Sequence, residues 1–174
     1  LTNVQTVNLT NSATTGRDFN ATGVEGVATY NLSGPLSLSE LASLGAMINL
    51  ADRASGTTTL TFQADVTTGD STLDLGFENL GSSSDSVTVT AGGGAGIENL
   101  TAMVTGDNWV TLTDNDYETF TTSGEGNLAL DAQALDADAV STVDATAQTG
   151  DFGLTIDGDA LVSAAEIRGG SDGA

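Results

Sequence analysis

The sequence has no cysteine, no histidine and no lysine, and its basic side chains are three arginines. Without Cys and His it has no disulfide, no Ser-His-Asp or Cys-His catalytic group and none of the usual zinc ligand sets. Without Lys it has no Schiff-base chemistry, and the glycine-rich run at residues 92–96 cannot be a Walker phosphate loop. We interpret that run as a loop between structural elements.

Aromatic residues are also scarce, at 5% of the chain with Trp109 as the single tryptophan. A sugar-cleaving site needs a pair of carboxylates beside aromatic platforms, and Tyr30 and Tyr117 lie at repeat positions instead. We therefore expect that the chain is not an enzyme. No apolar stretch reaches the length of a membrane span, and no basic-then-apolar signal peptide opens the sequence.

Positive charge is nearly missing, whereas 24 acidic residues give a net charge of −21. Binding to nucleic acid or to an anionic membrane requires Lys and Arg, so neither is an expected partner. A surplus of acid repels itself unless cations neutralise it. High salt or extracellular calcium would supply those cations.

A short apolar phrase recurs along the chain. Residues 1–9 read L-T-N-V-Q-T-V-N-L and residues 24–32 read V-E-G-V-A-T-Y-N-L. They align without a gap, so that Asn8-Leu9 matches Asn31-Leu32. Looser copies occupy residues 41–50, 97–105, 117–124, 140–147 and 161–169. Repetition of this kind is typical of stacked-repeat architectures.

A second phrase alternates with the first: a small residue, a glycine, and apolar residues four and six positions later. It begins at Ser55, Thr68, Thr105, Ser123 and Thr149. Glycine permits a tight turn, and the alternating apolar pair predicts a short strand with one buried face. The spacing between copies is uneven, which favours coils with loops of different length over a strict tandem array.

Together the phrases predict an all-β protein, a parallel β-solenoid of the β-helix or β-roll kind with irregular coils and loop insertions. Residues 1–174 are interpreted as a single solenoid segment of a longer protein. Residues 37–49 and 128–139 have helical leanings, and we expect at most one or two helical turns in the first of them.

Aspartates beside Gly and Asn in turns are the places where chemistry is expected. Calcium takes six to eight oxygens from such residues. Equivalent turns of a parallel solenoid stack about 4.8 Å apart, so aspartates of neighbouring coils can converge on one ion. The alternative is that these side chains only stabilise turns. The candidate ligands are Asp70, Asp107, Asp114, Asp116, Asp151, Asp157 and Asp159.

Three asparagines, Asn8, Asn31 and Asn49, hold equivalent positions in the first phrase. Stacked Asn side chains can hydrogen-bond along a solenoid as a ladder. Glycosylation is the competing interpretation, because Asn8, Asn20, Asn31 and Asn99 all begin acceptor triplets. We favour the ladder.

The chain resembles the β-solenoid regions of RTX-type bacterial surface-layer proteins, like that of Caulobacter. The likeness is carried by L-T-N-V-Q-T-V-N-L at Leu1, G-N-L-A-L at Gly126, V-S-T-V-D-A-T-A-Q-T-G at Val140 and I-R-G-G-S-D-G-A at Ile167. The resemblance implies type I secretion, calcium binding and a two-dimensional crystal on the cell surface. It also implies that residues 1–174 are part of a larger secreted protein with calcium-binding repeats beyond residue 174. The last segment resembles the start of a G-G-x-G-x-D nonapeptide and adds Asp172 to the candidate calcium ligands, although Asp172 stands where that pattern has a glycine.

The expected function is therefore that of a structural extracellular protein, a surface-layer lattice module with calcium-dependent self-assembly. Its expected partners are other copies of itself, in a lattice or filament, and cell-surface polysaccharide. An adhesin or biofilm-matrix stalk is the main alternative. A polysaccharide-active β-helix enzyme and a haloarchaeal envelope or filament protein are less favoured.

Overall fold

A computed structural model describes residues 4–92, 96–113, 116–135 and 139–170. The strands in chain order are β1 Thr6–Thr10, β2 Arg17–Asn20, β3 Thr29–Ser33, β4 Leu36–Leu41, β5 Met47–Arg53, β6 Gly56–Phe62, β7 Thr72–Leu80, β8 Val87–Gly92, β9 Asn99–Thr105, β10 Asp107–Leu112, β11 Thr119–Gly124, β12 Asn127–Ala132, β13 Val140–Gln148, β14 Phe152–Ile156 and β15 Leu161–Arg168. A single turn of 3-10 helix, Gly158–Ala160, is the only helix in these ranges.

The strands divide into two parallel sheets. The odd-numbered strands form an eight-stranded sheet in the order of the chain, and the even-numbered strands form a seven-stranded sheet. Each coil thus contributes one strand to each sheet before the chain moves on to the next coil. The predicted parallel β-solenoid is confirmed. No helix of the described residues has the length and apolar character needed to cross a membrane.

The first phrase defines the register of the eight-stranded sheet. Val7 pairs with Tyr30 and Leu9 with Leu32 across β1 and β3, as the alignment of the two copies predicts. The core lies between the two sheets, where alternate residues of most strands point inward. One core row runs through Leu73, Leu100, Phe120 and Val143, which are at most 3% exposed.

The second phrase is only partly tied to one sheet. Four of its copies enter strands of the seven-stranded sheet, but the copy at Thr68 precedes β7 in the other sheet. Its internal register also varies, because Val110 of β10 pairs with Leu130 of β12, whereas the phrase alignment matches it with Leu128. The same turn chemistry therefore serves both sheets.

The helical turns expected within residues 37–49 are absent. That segment contains the end of β4, a short connection and the start of β5. Glu40 has a φ of 58° in β4, where the pairing with β6 shifts register between Leu38 and Leu41. A bulge of this kind changes the spacing of apolar residues, which is why the pattern resembles a helical one.

The solenoid has two edges that differ in their connections. We call the turns from odd to even strands the short-turn edge, and the connections from even to odd strands the long-loop edge. A single residue, Gly106, joins β9 to β10 at the short-turn edge, whereas residues 63–71 join β6 to β7 at the long-loop edge. These edges carry most of the candidate ligands.

Candidate ion-binding turns

The predicted calcium ligands are distributed over both edges. Asp107 and Asp151 lie at the short-turn edge. Four others lie at the long-loop edge, namely Asp70, Asp116, Asp157 and Asp159. Asp114 and Asp172 lie outside the described residues. The three T-G-D turns therefore do not stack on one another as a set, because the aspartate of the first lies at the opposite edge from the other two.

At the short-turn edge an asparagine separates the two aspartates. Asn127 donates from Nδ2 to Asp107 Oδ1 at 2.7 Å, and its own Oδ1 accepts from the Asp151 amide at 2.9 Å. The three residues occupy successive coils, so Asp107 and Asp151 are roughly 10 Å apart. This polar ladder ties three turns together with uncompensated carboxylates at both ends.

At the long-loop edge the neighbouring connections are joined through Ser71. Its amide and its hydroxyl both donate to Glu98 Oε2, at 2.7 and 2.6 Å. Beside them, Asn99 Nδ2 donates to Asp70 Oδ1 at 2.6 Å. Burial opposes ionisation of Glu98, but the two hydrogen bonds from Ser71 outweigh it and hold the Glu98 pKa below its ordinary value. Sequence reasoning missed Glu98 because no turn motif surrounds it.

The remaining candidates have local roles. Asp157 caps the 3-10 helix by accepting from the Asp159 amide at 3.1 Å. Asp116 lies against Gly96, whose φ of 101° and missing side chain both suit glycine, since a Cβ there would overlap the Asp116 carboxylate. The cap made by Asp157 is a turn-stabilising role of the kind that the alternative interpretation describes.

The interior of the short-turn edge holds buried polar side chains that the sequence patterns did not indicate. Asn108 is 1% exposed; it accepts from the Leu80 amide at 3.1 Å and donates to the Thr105 carbonyl at 2.9 Å. Gln148 donates to the carbonyl of Gly126. These residues satisfy turn groups that would otherwise be buried without partners.

Arg53 has the same role in an earlier coil. Its guanidinium donates to the carbonyls of Ser55 at 3.0 Å, Thr57 at 2.6 Å and Leu36 at 3.3 Å. Burial lowers its pKa. One of the three arginines is therefore buried inside the fold, and its positive charge does not offset the acidic surface.

The described residues do not form a calcium cage within one chain. No three acidic side chains in these ranges come together in a way that could hold a metal ion. Calcium requires six to eight oxygens, and each edge offers carboxylates singly or beside an amide. Backbone carbonyls, amides, hydroxyls and water can supply further oxygens, and the calcium sites stay a prediction.

The asparagine ladder is present on the outer face of the eight-stranded sheet. Asn31 Nδ2 donates to Asn8 Oδ1, and Asn49 Nδ2 donates to Asn31 Oδ1, both at 2.7 Å. Asn99 Nδ2 also donates a hydrogen bond, to Asp70 Oδ1. The ladder interpretation is confirmed, and the amide nitrogens of Asn31 and Asn99, where a glycan would attach, already donate hydrogen bonds.

Comparison of the chain with known protein families, curated proteins and solved structures found no match.

Proposed function

We propose that the chain is a structural module of an extracellular assembly, a surface-layer lattice whose copies associate with the help of calcium. The observation that carries this proposal is the stacked architecture itself. Seven successive coils contribute a strand to each of two continuous sheets, and β15 extends one of them, which makes an extended scaffold with repeating faces. A repeating surface suits contacts that recur from copy to copy.

The last described coil supports association at an end of the solenoid. Ile167 pairs with Val143 and continues the core row, yet 51% of its surface is exposed. Leu154 and Ile156 of β14, the strand that precedes β15, are also only partly buried. Open strand edges with apolar residues favour pairing with another strand. A further coil laid on this end, such as one from a second copy, would cover them.

The distribution of charge supports a need for cations. Arg53 is buried, and Arg168 contacts Glu166 at 2.8 Å and Asp144 at 3.7 Å. The acidic surplus of the chain is therefore scarcely offset at the surface, and two copies would repel each other. Calcium would supply the missing positive charge. The carboxylate oxygens of Asp107 and Asp151 from facing molecules would coordinate it.

The proposal is tested by light scattering of the intact protein during a calcium titration, followed by chelator. We expect growth into large particles that disperse when calcium is removed. Sodium chloride at matched ionic strength is the control, because simple screening should not reproduce bridging by a divalent ion. A monomer indifferent to calcium would contradict the calcium-driven lattice.

Two double variants that remove the same number of charges test whether the calcium response depends on these turns. Asp107→Asn combined with Asp151→Asn should raise the calcium concentration needed for growth by several-fold, because both bridging carboxylates are lost. Asp65→Asn combined with Asp74→Asn removes the same charge from positions outside the candidate set and should change that concentration little. Equal shifts in both pairs would assign the effect to net charge and not to these turns.

An adhesin or biofilm-matrix stalk is the alternative function. It uses the same scaffold and requires a ligand on another surface. A protein that stays monomeric in calcium but binds a cell-surface component would favour it over a lattice.

A further inference from the structure

A groove on the outer face of the seven-stranded sheet contains the only tryptophan of the chain. Trp109 projects from β10, and Ala129 and Gly153 occupy the same row on the next two coils. The groove has a volume of about 380 Å³. The other residues on this sheet face are small or polar, so Trp109 provides its one large aromatic surface.

The floor of the groove is open because the two residues beside the ring are small. Ala129 and Gly153 are both exposed. A Cβ built on Gly153 would meet no atom within 4 Å. Three coils at the usual strand spacing extend over roughly 10 Å. The Trp109 side chain and this shelf together form a trough that can hold a flat, extended ligand.

Polar groups adjoin the trough. On the row two residues further along the strands lie Thr111, Asp131 and Thr155. Asp131 uses Oδ1 to accept from the Gln133 amide at 3.1 Å. Residues 82–86 form a serine-rich connection closed by the bridge between Ser82 and Asp85, and Ser86 Oγ lies 2.7 Å from Thr111 Oγ1. The groove is therefore lined by hydroxyls and carboxylates beside one ring.

This chemistry selects a neutral ligand rich in hydroxyl groups. No arginine lines the groove, and the carboxylates of Asp85 and Asp131 would repel an anion. Sugar hydroxyls can donate to carboxylates in charge-assisted hydrogen bonds. The C–H groups on one face of a pyranose ring can pack on the negative face of an indole. A few convergent polar groups beside an apolar surface are typical of ligand sites.

We propose that the Trp109 groove binds a neutral hexose polysaccharide of the cell surface. The inference rests on the extracellular placement in the proposed function, and it requires neither calcium nor assembly. It identifies the surface through which the module would contact its cell or matrix, whereas the edge aspartates would serve contacts between copies.

The test uses the fluorescence of the single tryptophan, with chelator present to keep copies apart. Cellohexaose, maltohexaose and mannohexaose are titrated separately, with trigalacturonic acid as the anionic comparison. We expect a saturable change in emission with at least one neutral oligosaccharide and none with the anionic one. Failure of all three neutral probes, or equal binding of trigalacturonic acid, would overturn the proposal.

Two substitutions place the binding in the groove. Gly153→Val fills the shelf at a position where a Cβ has open space, and Trp109→Ala removes the ring. Each should weaken binding at least about tenfold, with calorimetry replacing fluorescence for the second. Ala147→Val adds similar bulk on the outer face of the other sheet and should bind normally. Unchanged binding by Gly153→Val would overturn the proposal, and the calcium titration would be unaffected by that result.

Discussion

Thr122 places a hydroxyl in the core between the sheets. It lies on β11, is 3% exposed, and its Oγ1 has no hydrogen-bond partner among the described residues. A cavity of about 10 Å³ adjoins it, lined mainly by apolar residues that include Phe77 and Leu100. A water there would find too few polar partners to be held. The hydroxyl is therefore buried at a cost.

Replacing Thr122 with Val should stabilise the protein by about 1 kcal/mol, because the shape is kept and the buried unpaired hydroxyl is removed. Urea denaturation followed by circular dichroism measures the change. Thr121→Val, the outward-facing neighbour on the same strand, serves as the control and should change stability by less than about 0.5 kcal/mol. A Thr122→Val protein no more stable than the original would show that the hydroxyl has a partner.

Ser71 sets the ionisation of Glu98 from the neighbouring connection. With Ser71→Ala one of the two hydrogen bonds to Oε2 is lost, and the Glu98 pKa should rise towards its ordinary value. Carboxyl carbon NMR during a pH titration follows this shift directly. Ser141→Ala, whose hydroxyl donates to the Glu118 carbonyl, should leave the Glu98 pKa where it is.

The same pair predicts a pH dependence of stability. The folded-state pKa of Glu98 is lowered, so its contribution is present above the unfolded value of about 4.3 and is lost as pH falls through the folded value. The stability difference between the original protein and Ser71→Ala should therefore be larger at pH 6 than at pH 3. A difference that grows on acidification would contradict this assignment.

At the scale of the element, the asparagine ladder links β1, β3 and β5 across the outer face. Asn31 is the middle member and takes part in both side-chain hydrogen bonds, whereas Asn8 takes part in one. The ladder ends at Gly76 of β7, because Asn49 lies where a side chain at that position would be. It therefore ties together the first three strands of this sheet.

Asn31→Ala should lower the free energy of unfolding by about 1–2 kcal/mol, since two hydrogen bonds are lost from a partly exposed site. Asn8→Ala removes one bond and should cost about half as much. Chemical denaturation of both variants gives the comparison. Equal losses in the two variants would mean that the ladder does not act through its bonds.

The strands and the ladder could be predicted from the sequence because both depend on local patterns that repeat. Val7 and Tyr30, or Asn8 and Asn31, match by alignment alone and pair in the structure. The sheet entered at Thr68 could not be predicted, since one T-G-D turn leads into strands of either sheet. Which aspartates stack depends on the edge of the solenoid at which each turn lies. The sequence pattern does not contain that information, so it could not show that Asn127 separates Asp107 from Asp151.

Buried polar residues were the other feature beyond reach of the sequence. Asn108 stands within a strand that reads as an ordinary alternation, and its partners come from three different turns of neighbouring coils. Their positions depend on how coils stack, which no local pattern contains. The groove around Trp109 was hidden for the same reason, because Ala129 and Gly153 come beside the ring only through inter-coil register.

At the scale of the whole molecule, exposed apolar residues such as Ile167 favour association, whereas the acidic surface opposes it. Apolar contact favours stacking of coils, and the net charge of −21 opposes it until cations are present. Calcium should therefore act as a switch between dispersed and assembled protein.

Electron microscopy of particles grown in calcium tests this account most directly. A lattice module predicts ordered two-dimensional sheets with sharp diffraction, which disappear when chelator is added. Amorphous aggregates, or isolated rods that never associate, would contradict the proposed lattice function.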